Sequence, residues 1–177
     1  MSGKVFPLTP DQASAVVPSR SVWLSASAGT GKTQVLSARV LRLLLRPNVV
    51  PGQILCLTFT KAGAAEMAER VNSVLARWVR LEETKLAREL IAIGAPADRD
   101  TIDRARTLFA SVLDCPGGGL RIDTIHAFSQ WLLAAFPDEA ELVPGTRPME
   151  DRDRPEVALL KPRREGLADG DRAQRGA

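Results

Sequence analysis

Between Val22 and Ser37 the chain reads VWLSASAGTGKTQVLS: a short apolar run, then small residues through Gly31, then a Lys-Thr pair opening a segment of helical period. Few local structures accept such a stretch. Val22 to Ala26 is short, apolar or small and closely followed by glycines, so it is expected to be a buried strand ending in a loop. From Lys32 onward, Leu36, Val40, Leu43 and Leu44 share one face of a predicted helix, which Arg46-Pro47-Asn48 stops. A strand, a tight small-residue turn and a helix in that order constrain the rest of the fold, because the strand must find neighbours and the helix must lie over them.

The alternation recurs downstream. After Pro51-Gly52 the run QILCLTF has strand length, and the following helix carries Met67, Val71, Val74, Leu75 and Trp78 at steps of three and four. A weaker helix is expected over Glu83–Ile93, and another over Thr101–Leu113 with Ile102, Ala105, Leu108, Phe109 and Val112 on its apolar face. Pro116 to Gly119 breaks the chain, LRID reads as a short third strand, and IHAFSQWLLAAF as a last helix. Strand and helix in turn predict an α/β fold, a parallel sheet flanked by helices. With 177 residues, 45% apolar and 25% charged, one globular domain plus a tail is expected. The domain is placed at residues 1–150. Residues 151–177 hold thirteen charged side chains among twenty-seven and read as a charged, disordered tail. So abrupt a shift suggests that the chain ends where a larger protein would continue.

The loop itself has a chemical reading. Ala26-Ser-Ala-Gly-Thr-Gly-Lys-Thr33 has the spacing G-x-x-x-x-G-K-[ST] of a P-loop, with Ala26 in place of the first glycine. Consecutive N–H groups from about Ala28 through Gly29, Thr30, Gly31, Lys32 and Thr33 would line a concavity for phosphate oxygens, reinforced by the positive end of the helix. Lys32 supplies a point charge between the β- and γ-phosphates of ATP, and Thr33 a hydroxyl for Mg²⁺. The competing reading is a glycine-rich turn with an exposed lysine.

Three further stretches carry a resemblance. LTPDQASAV precedes the loop, LTFTKAGAAEMAERV spans the second strand–helix junction, and DTIHAFSQWLL follows the third strand. In that order they resemble the Q motif, motif Ia and motif Ib of superfamily 1 DNA helicases of the UvrD/Rep class, over roughly residues 7 to 150. The ASAGTGKT loop and TFTKAGAAEM resemble the AddA/RecB branch, whose members act in double-strand break repair. The resemblance implies a P-loop NTPase (RecA-like) domain, incomplete here. It implies that Gln12 pairs with the adenine edge, in the two-point geometry by which Gln reads adenine elsewhere. It implies that Thr58, Phe59 and Thr60 line a single-stranded DNA channel, with Phe59 stacked on a base, and that Thr124 and His126 meet the DNA backbone. Each has a plainer alternative: Gln12 an exposed loop residue, Phe59 a core aromatic, His126 a structural histidine beside Thr124 as helix cap. A second, AddB-like helicase–nuclease subunit is the partner implied for a full-length protein.

The mechanism is expected to stop short. Asp138-Glu139-Ala140 imitates the acidic pair of a Walker B motif, yet Pro137 precedes it and no apolar strand leads in. Asp123 follows only LRI. The resemblance implies that the acidic pair comes later in such proteins, past an inserted subdomain. Binding of ATP·Mg²⁺ without turnover or unwinding is therefore the expectation for the isolated chain. A small P-loop kinase, with Arg99–Arg106 as its lid, and a degenerate nucleotide-binding module are the alternatives. Cys56, expected in the core, and Cys115 are far apart, giving neither a zinc set nor a disulfide framework. No signal peptide or membrane span is evident, the net charge is only +3, and a cytoplasmic protein is expected.

Overall fold

The structure, a computed structural model of the 177-residue chain, describes residues 5–25, 27, 29–116 and 119–141. The chain divides into two compact units, residues 1–129 and 130–177. The first is helix-rich with a small parallel sheet. Helix α1 (Pro10–Ala15) starts on a proline and a capping box in which Thr9 and Gln12 exchange backbone-to-side-chain hydrogen bonds. Then follow α2 (Lys32–Leu44), a 3₁₀ turn at Pro51–Gln53, strand β1 (Leu55–Thr58), and α3 (Lys61–Arg80). Helices α4 (Glu83–Ala92) and α5 (Arg99–Leu113), strand β2 (Arg121–Thr124) and helix α6 (Ile125–Ala135) complete the order, α6 running on into the second unit. In that second unit the described part is the end of α6 and a turn, and Trp131, Leu132, Leu133 and Phe136 are exposed.

The core is built on α3. Its residues Met67, Val71, Val74, Leu75 and Trp78 are all buried, as their spacing predicts. Against this stripe pack α5, through Ile102, Ala105, Leu108 and Val112, together with α2 and both strands. Leu86 and Leu90 of α4 are fully buried in the same cluster. Trp78 is the largest of the fully buried side chains, and its indole N–H donates to Glu89 Oε2 at 2.9 Å, while Arg77 Nη2 donates to the same oxygen at 2.5 Å. One carboxylate of α4 thus satisfies a buried donor and a cation of α3 together.

Helix starts follow the local chemistry. Gly63 N–H donates to Thr60 Oγ1 at 3.0 Å ahead of α3, and Thr101 N–H to Asp98 Oδ1 at 2.8 Å ahead of α5. That backbone N–H holds the Asp98 carboxyl below the usual carboxylate range. Strands β1 and β2 pair in parallel, with Leu55 opposite Arg121, Cys56 opposite Ile122, Leu57 opposite Asp123 and Thr58 opposite Thr124.

Two expectations need correction. Val22 to Ala26 is expected as the strand before the loop, but the described residues of that run, 22–25, form no strand; Val22 and Leu24 are exposed and Trp23 is 93% exposed. A strand exists only through a partner ladder, and none of the described residues supplies one to this segment. Leu36, expected on the core face of α2, is 46% exposed; the buried face carries Val35, Ala38, Val40, Leu41 and Leu44 instead. Apolar residues occupy most positions of α2, so period alone leaves its core face ambiguous. The expected tail, 151–177, lies outside the described residues.

Replacing Glu89 with Ala should strand the buried Trp78 N–H and cost about 2–3 kcal/mol in urea unfolding, whereas Glu89→Gln, which keeps an acceptor, should cost less.

Candidate functional site

Two groups of predicted residues come together, at the amino end of α2 and at the carboxyl ends of the paired strands. Gly29 and Gly31 adopt φ of 80° and 86°, the left-handed region that a side chain disfavours. No side chain caps α2, and its first helical bond runs from Val35 N–H to Gly31 O at 3.0 Å. The N–H groups of Lys32, Thr33 and Gln34 precede that bond and so have no intrahelical acceptor, and the positive end of the helix dipole lies with them. Lys32 Nζ donates to Ser27 O at 2.5 Å, and Thr30 Oγ1 donates to the same carbonyl at 2.7 Å. One carbonyl thereby gathers the loop's cation and its hydroxyl. Thr33 is half-buried, its own carbonyl accepting from Ser37 Oγ at 2.8 Å. Ala26 and Ala28 lie outside the described residues.

Gln12 is brought to this loop. Its Oε1 accepts from Thr9 N–H at 3.1 Å, and its Nε2 lies 3.4 Å from the place a Cβ on Gly31 would occupy. A Cβ at Gly29 would meet nothing within 4 Å. Space for a ligand at the backbone is therefore kept open at Gly29 and shared with the Gln12 amide at Gly31. A second amide, Gln34 Nε2, donates to Phe6 O at 3.2 Å and ties the N-terminal segment to the first turn of α2.

At the strand ends, Thr58 and Thr124 are register partners. Thr58 Oγ1 donates to Thr60 O at 2.8 Å, and Phe59 between them is 87% exposed, so it is no core aromatic. Thr124 is buried and its Oγ1 accepts from Ala127 N–H at 3.1 Å, the helix cap that its sequence position suggests. His126 is exposed in the first turn of α6. Arg121 bonds Asp123 at 2.9 Å and lies 5.4 Å from the Phe128 ring centroid, a cation–π distance. Asp123 is therefore already matched by a cation, and Asp138 and Glu139 sit in the turn after α6. Cys56 is half-buried, and that burial pushes its thiol up from the usual range. Of the segment 99–106, Arg99 pairs with Asp103 along α5 and Arg106 donates to Val79 O, both contacts within the fold.

No cluster of three or more His, Cys, Asp and Glu able to hold a metal occurs among the described residues. No described helix is long and apolar enough to cross a membrane. Sequence reasoning passed over Gln34 and Arg39. For Arg39 a signal existed: it sits among apolar residues of α2 with no acidic residue three or four positions away.

The family profile of the UvrD/REP helicase N-terminal domain matches residues 8–174, and the chain belongs to that family. It is 33% identical over 158 residues to an ATP-dependent helicase/nuclease subunit of Moorella thermoacetica, covering 86% of this chain and 9% of the relative. A protein of the same description from Bacillus pumilus is 32% identical over 142 residues, 78% of this chain and 10% of the relative. The "ATP-dependent DNA helicase PcrA" of Bacillus subtilis is 50% identical over 52 residues, 29% of this chain and 7% of that protein. The chain thus spans about a tenth of the length of the curated relatives it matches.

With both glycines in the left-handed region, Gly29→Ala and Gly31→Ala should each cost about 1 kcal/mol relative to the wild type from backbone strain, since a Cβ at Gly31 would make only ordinary van der Waals contact with the Gln12 amide. Thermal unfolding of the two variants measures the difference.

Proposed function

We propose that the chain is the ATP-binding N-terminal portion of an ATP-dependent DNA helicase that works in double-strand break repair, with a P-loop NTPase, RecA-like fold. The observation that carries this reading is the Gln12 amide beside Gly31 at the uncapped end of α2, since an amide there, able to pair with a base, adjoins the row of backbone donors that opens the helix. The residues present fit a magnesium-bound nucleoside triphosphate. Gly29 and Gly31 open the backbone, the leading N–H groups of α2 offer unsatisfied donors, and Lys32 is within reach of the loop it folds onto. On binding, Lys32 exchanges the Ser27 carbonyl for phosphate oxygens, a stronger acceptor for an ammonium. Thr33 would hold Mg²⁺, which supplies charge neutralisation between the β- and γ-phosphates when bound.

Single-stranded DNA is assigned to the strand ends. Phe59, almost fully exposed just past the carboxyl end of β1, offers a stacking face, and Thr58, Thr60, Thr124 and His126 lie at or just beyond the same paired strand ends. The hydroxyls of Thr60 and Thr124 accept from helix N–H groups and so fix the helix starts, which leaves the O–H of each to donate to a phosphate oxygen. The carboxylate nearest these ends, Asp123, is engaged by Arg121, so the isolated chain is proposed to bind ATP without turning it over. The relatives from Moorella and Bacillus pumilus are each named as one subunit of a helicase/nuclease, which supports a further subunit for the whole protein, and its AddB-like character is part of this proposal.

Calorimetry should detect ATP with Mg²⁺ on the 177-residue chain, with Lys32→Ala weakening it about tenfold or more, the loss of a charge-assisted contact. A folded sample that ignores millimolar ATP would leave only a non-catalytic module. Hydrolysis stimulated by single-stranded DNA and abolished in Lys32→Ala would overturn the absence of turnover. In fluorescence anisotropy with a labelled oligo-dT, Phe59→Ala should weaken binding roughly tenfold, the worth of one base stack.

A further inference from the structure

Arg39 stands two helical turns beyond Lys32 on α2, and its guanidinium does not engage a carboxylate among the described residues. It collects backbone carbonyls instead. Nη1 donates to Ala15 O at 2.9 Å and to Val17 O at 3.0 Å, and Nη2 donates to Arg20 O at 2.6 Å. Ala15 is the last residue of α1, the helix that bears Gln12, so the cation sits at the negative end of that short helix. Arg20 introduces residues 21–25, which lead into the phosphate loop. Between these carbonyls Val16 is fully buried, packed in the main core.

The segment from Phe6 to Arg20 is therefore fastened to α2 at two places. Gln34 holds Phe6 at the amino end of α2, and Arg39 holds the far side of α1 with three bonds from one planar group. The Gln12 amide lies between the two fastenings, against Gly31. A planar fork of fixed geometry suits three carbonyls spread over residues 15–20, whereas an ammonium is a compact donor on a flexible stem that sets no such spacing. Lys32 and the leading N–H groups belong to α2 itself, so a shift of α1 by an ångström displaces the Gln12 amide relative to them.

We propose that Arg39 is a positioning residue for nucleotide selectivity: it holds the Gln12 amide at the distance from α2 at which an adenine base, once its triphosphate is in the loop, is recognised. The inference rests on the ATP-binding reading above and adds to it a division of labour. Lys32 and the loop bind phosphates, and Arg39, acting through α1, decides what the base contributes.

The experiment measures binding of ATP, GTP and inorganic tripolyphosphate, each with Mg²⁺, by calorimetry on the 177-residue chain and on Arg39→Lys, Arg39→Ala and Gln12→Ala. The wild-type chain should prefer ATP to GTP and to tripolyphosphate by about tenfold, the worth of one two-point base contact. Arg39→Lys and Arg39→Ala should lose that preference while binding tripolyphosphate as the wild type does, and adding Arg39→Ala to Gln12→Ala should change ATP affinity no further. A purely structural role would weaken tripolyphosphate along with ATP, or add to the effect of Gln12→Ala, and either result overturns the proposal, as does an unaltered ATP preference. Should Arg39→Ala not fold, Arg39→Lys alone decides by the same readings. A wild-type chain that binds tripolyphosphate and ATP equally removes the base-reading role of Gln12 and this inference with it. One that binds neither removes the nucleotide reading itself.

Discussion

Burial of one face of α3 is the constraint on which the other elements depend. Val71, Leu75 and Trp78 are fully buried, and α2, α5, β1 and β2 all pack on this helix. Each such side chain contributes about 1.5–3 kcal/mol relative to exposure, so the stripe outweighs any single polar contact in the unit. Since α3 begins three residues after β1 ends, seating its stripe also fixes where β1 points and where Phe59 and Thr60 emerge. Strand β2 then takes its register from β1, and the two carboxyl ends arrive together. The position of the candidate DNA face is thus a consequence of helix packing, set before any residue of that face makes a contact of its own.

Helix starts divide into two kinds. Helices α3 and α5 are capped by Thr60 and Asp98, and Thr124 serves the first turn of α6. Helix α2 has no such cap and begins instead on a left-handed glycine. A missing cap costs about 1 kcal/mol. Helix α4 also starts without a side-chain cap, but the open end of α2 is the one that begins on a left-handed glycine and is approached by Lys32 and the Gln12 amide. The local expense is compatible with a stable unit because the rest of α2 is held by Leu41 and Leu44 in the core and by Gln34 and Arg39 on the N-terminal segment.

Much of this was legible from residue order. The stripe of α3, the face of α5 and the second and third strands follow from period and from glycine and proline punctuation, and the parallel pairing follows from their alternation with helices. The loop motif located the turn at Gly29–Gly31, and the cap at Thr124 was readable from its position. The failures have physical causes. A strand at Val22–Ala26 requires a ladder partner that local sequence does not contain, and α2 offers two apolar faces between which period cannot choose. The closeness of Gln12 to Gly31 and the three carbonyls held by Arg39 depend on chain folding over roughly twenty residues, which no local pattern encodes. Phe59 illustrates the middle case: its place at a strand end was readable, and its exposure was not.

The strands carry more apolar surface than this sheet buries. A parallel strand with the run Ile54-Leu-Cys-Leu57 has the composition of one covered on both faces, yet Leu55 and Leu57 are 42% and 44% exposed. The sheet therefore contributes little of the hydrophobic stabilisation, which resides in the cluster among α2, α3, α4 and α5. Val22, Trp23 and Leu24 repeat the pattern just before the glycine loop, apolar in sequence and exposed in place. The loop consequently hangs on its helix side, through α2, and its strand side adds no ladder among the described residues. In such an arrangement the geometry of the candidate phosphate site is only as firm as the attachment of α2 to α3. Mutations in that helical contact should therefore reach the loop more directly than mutations in the sheet.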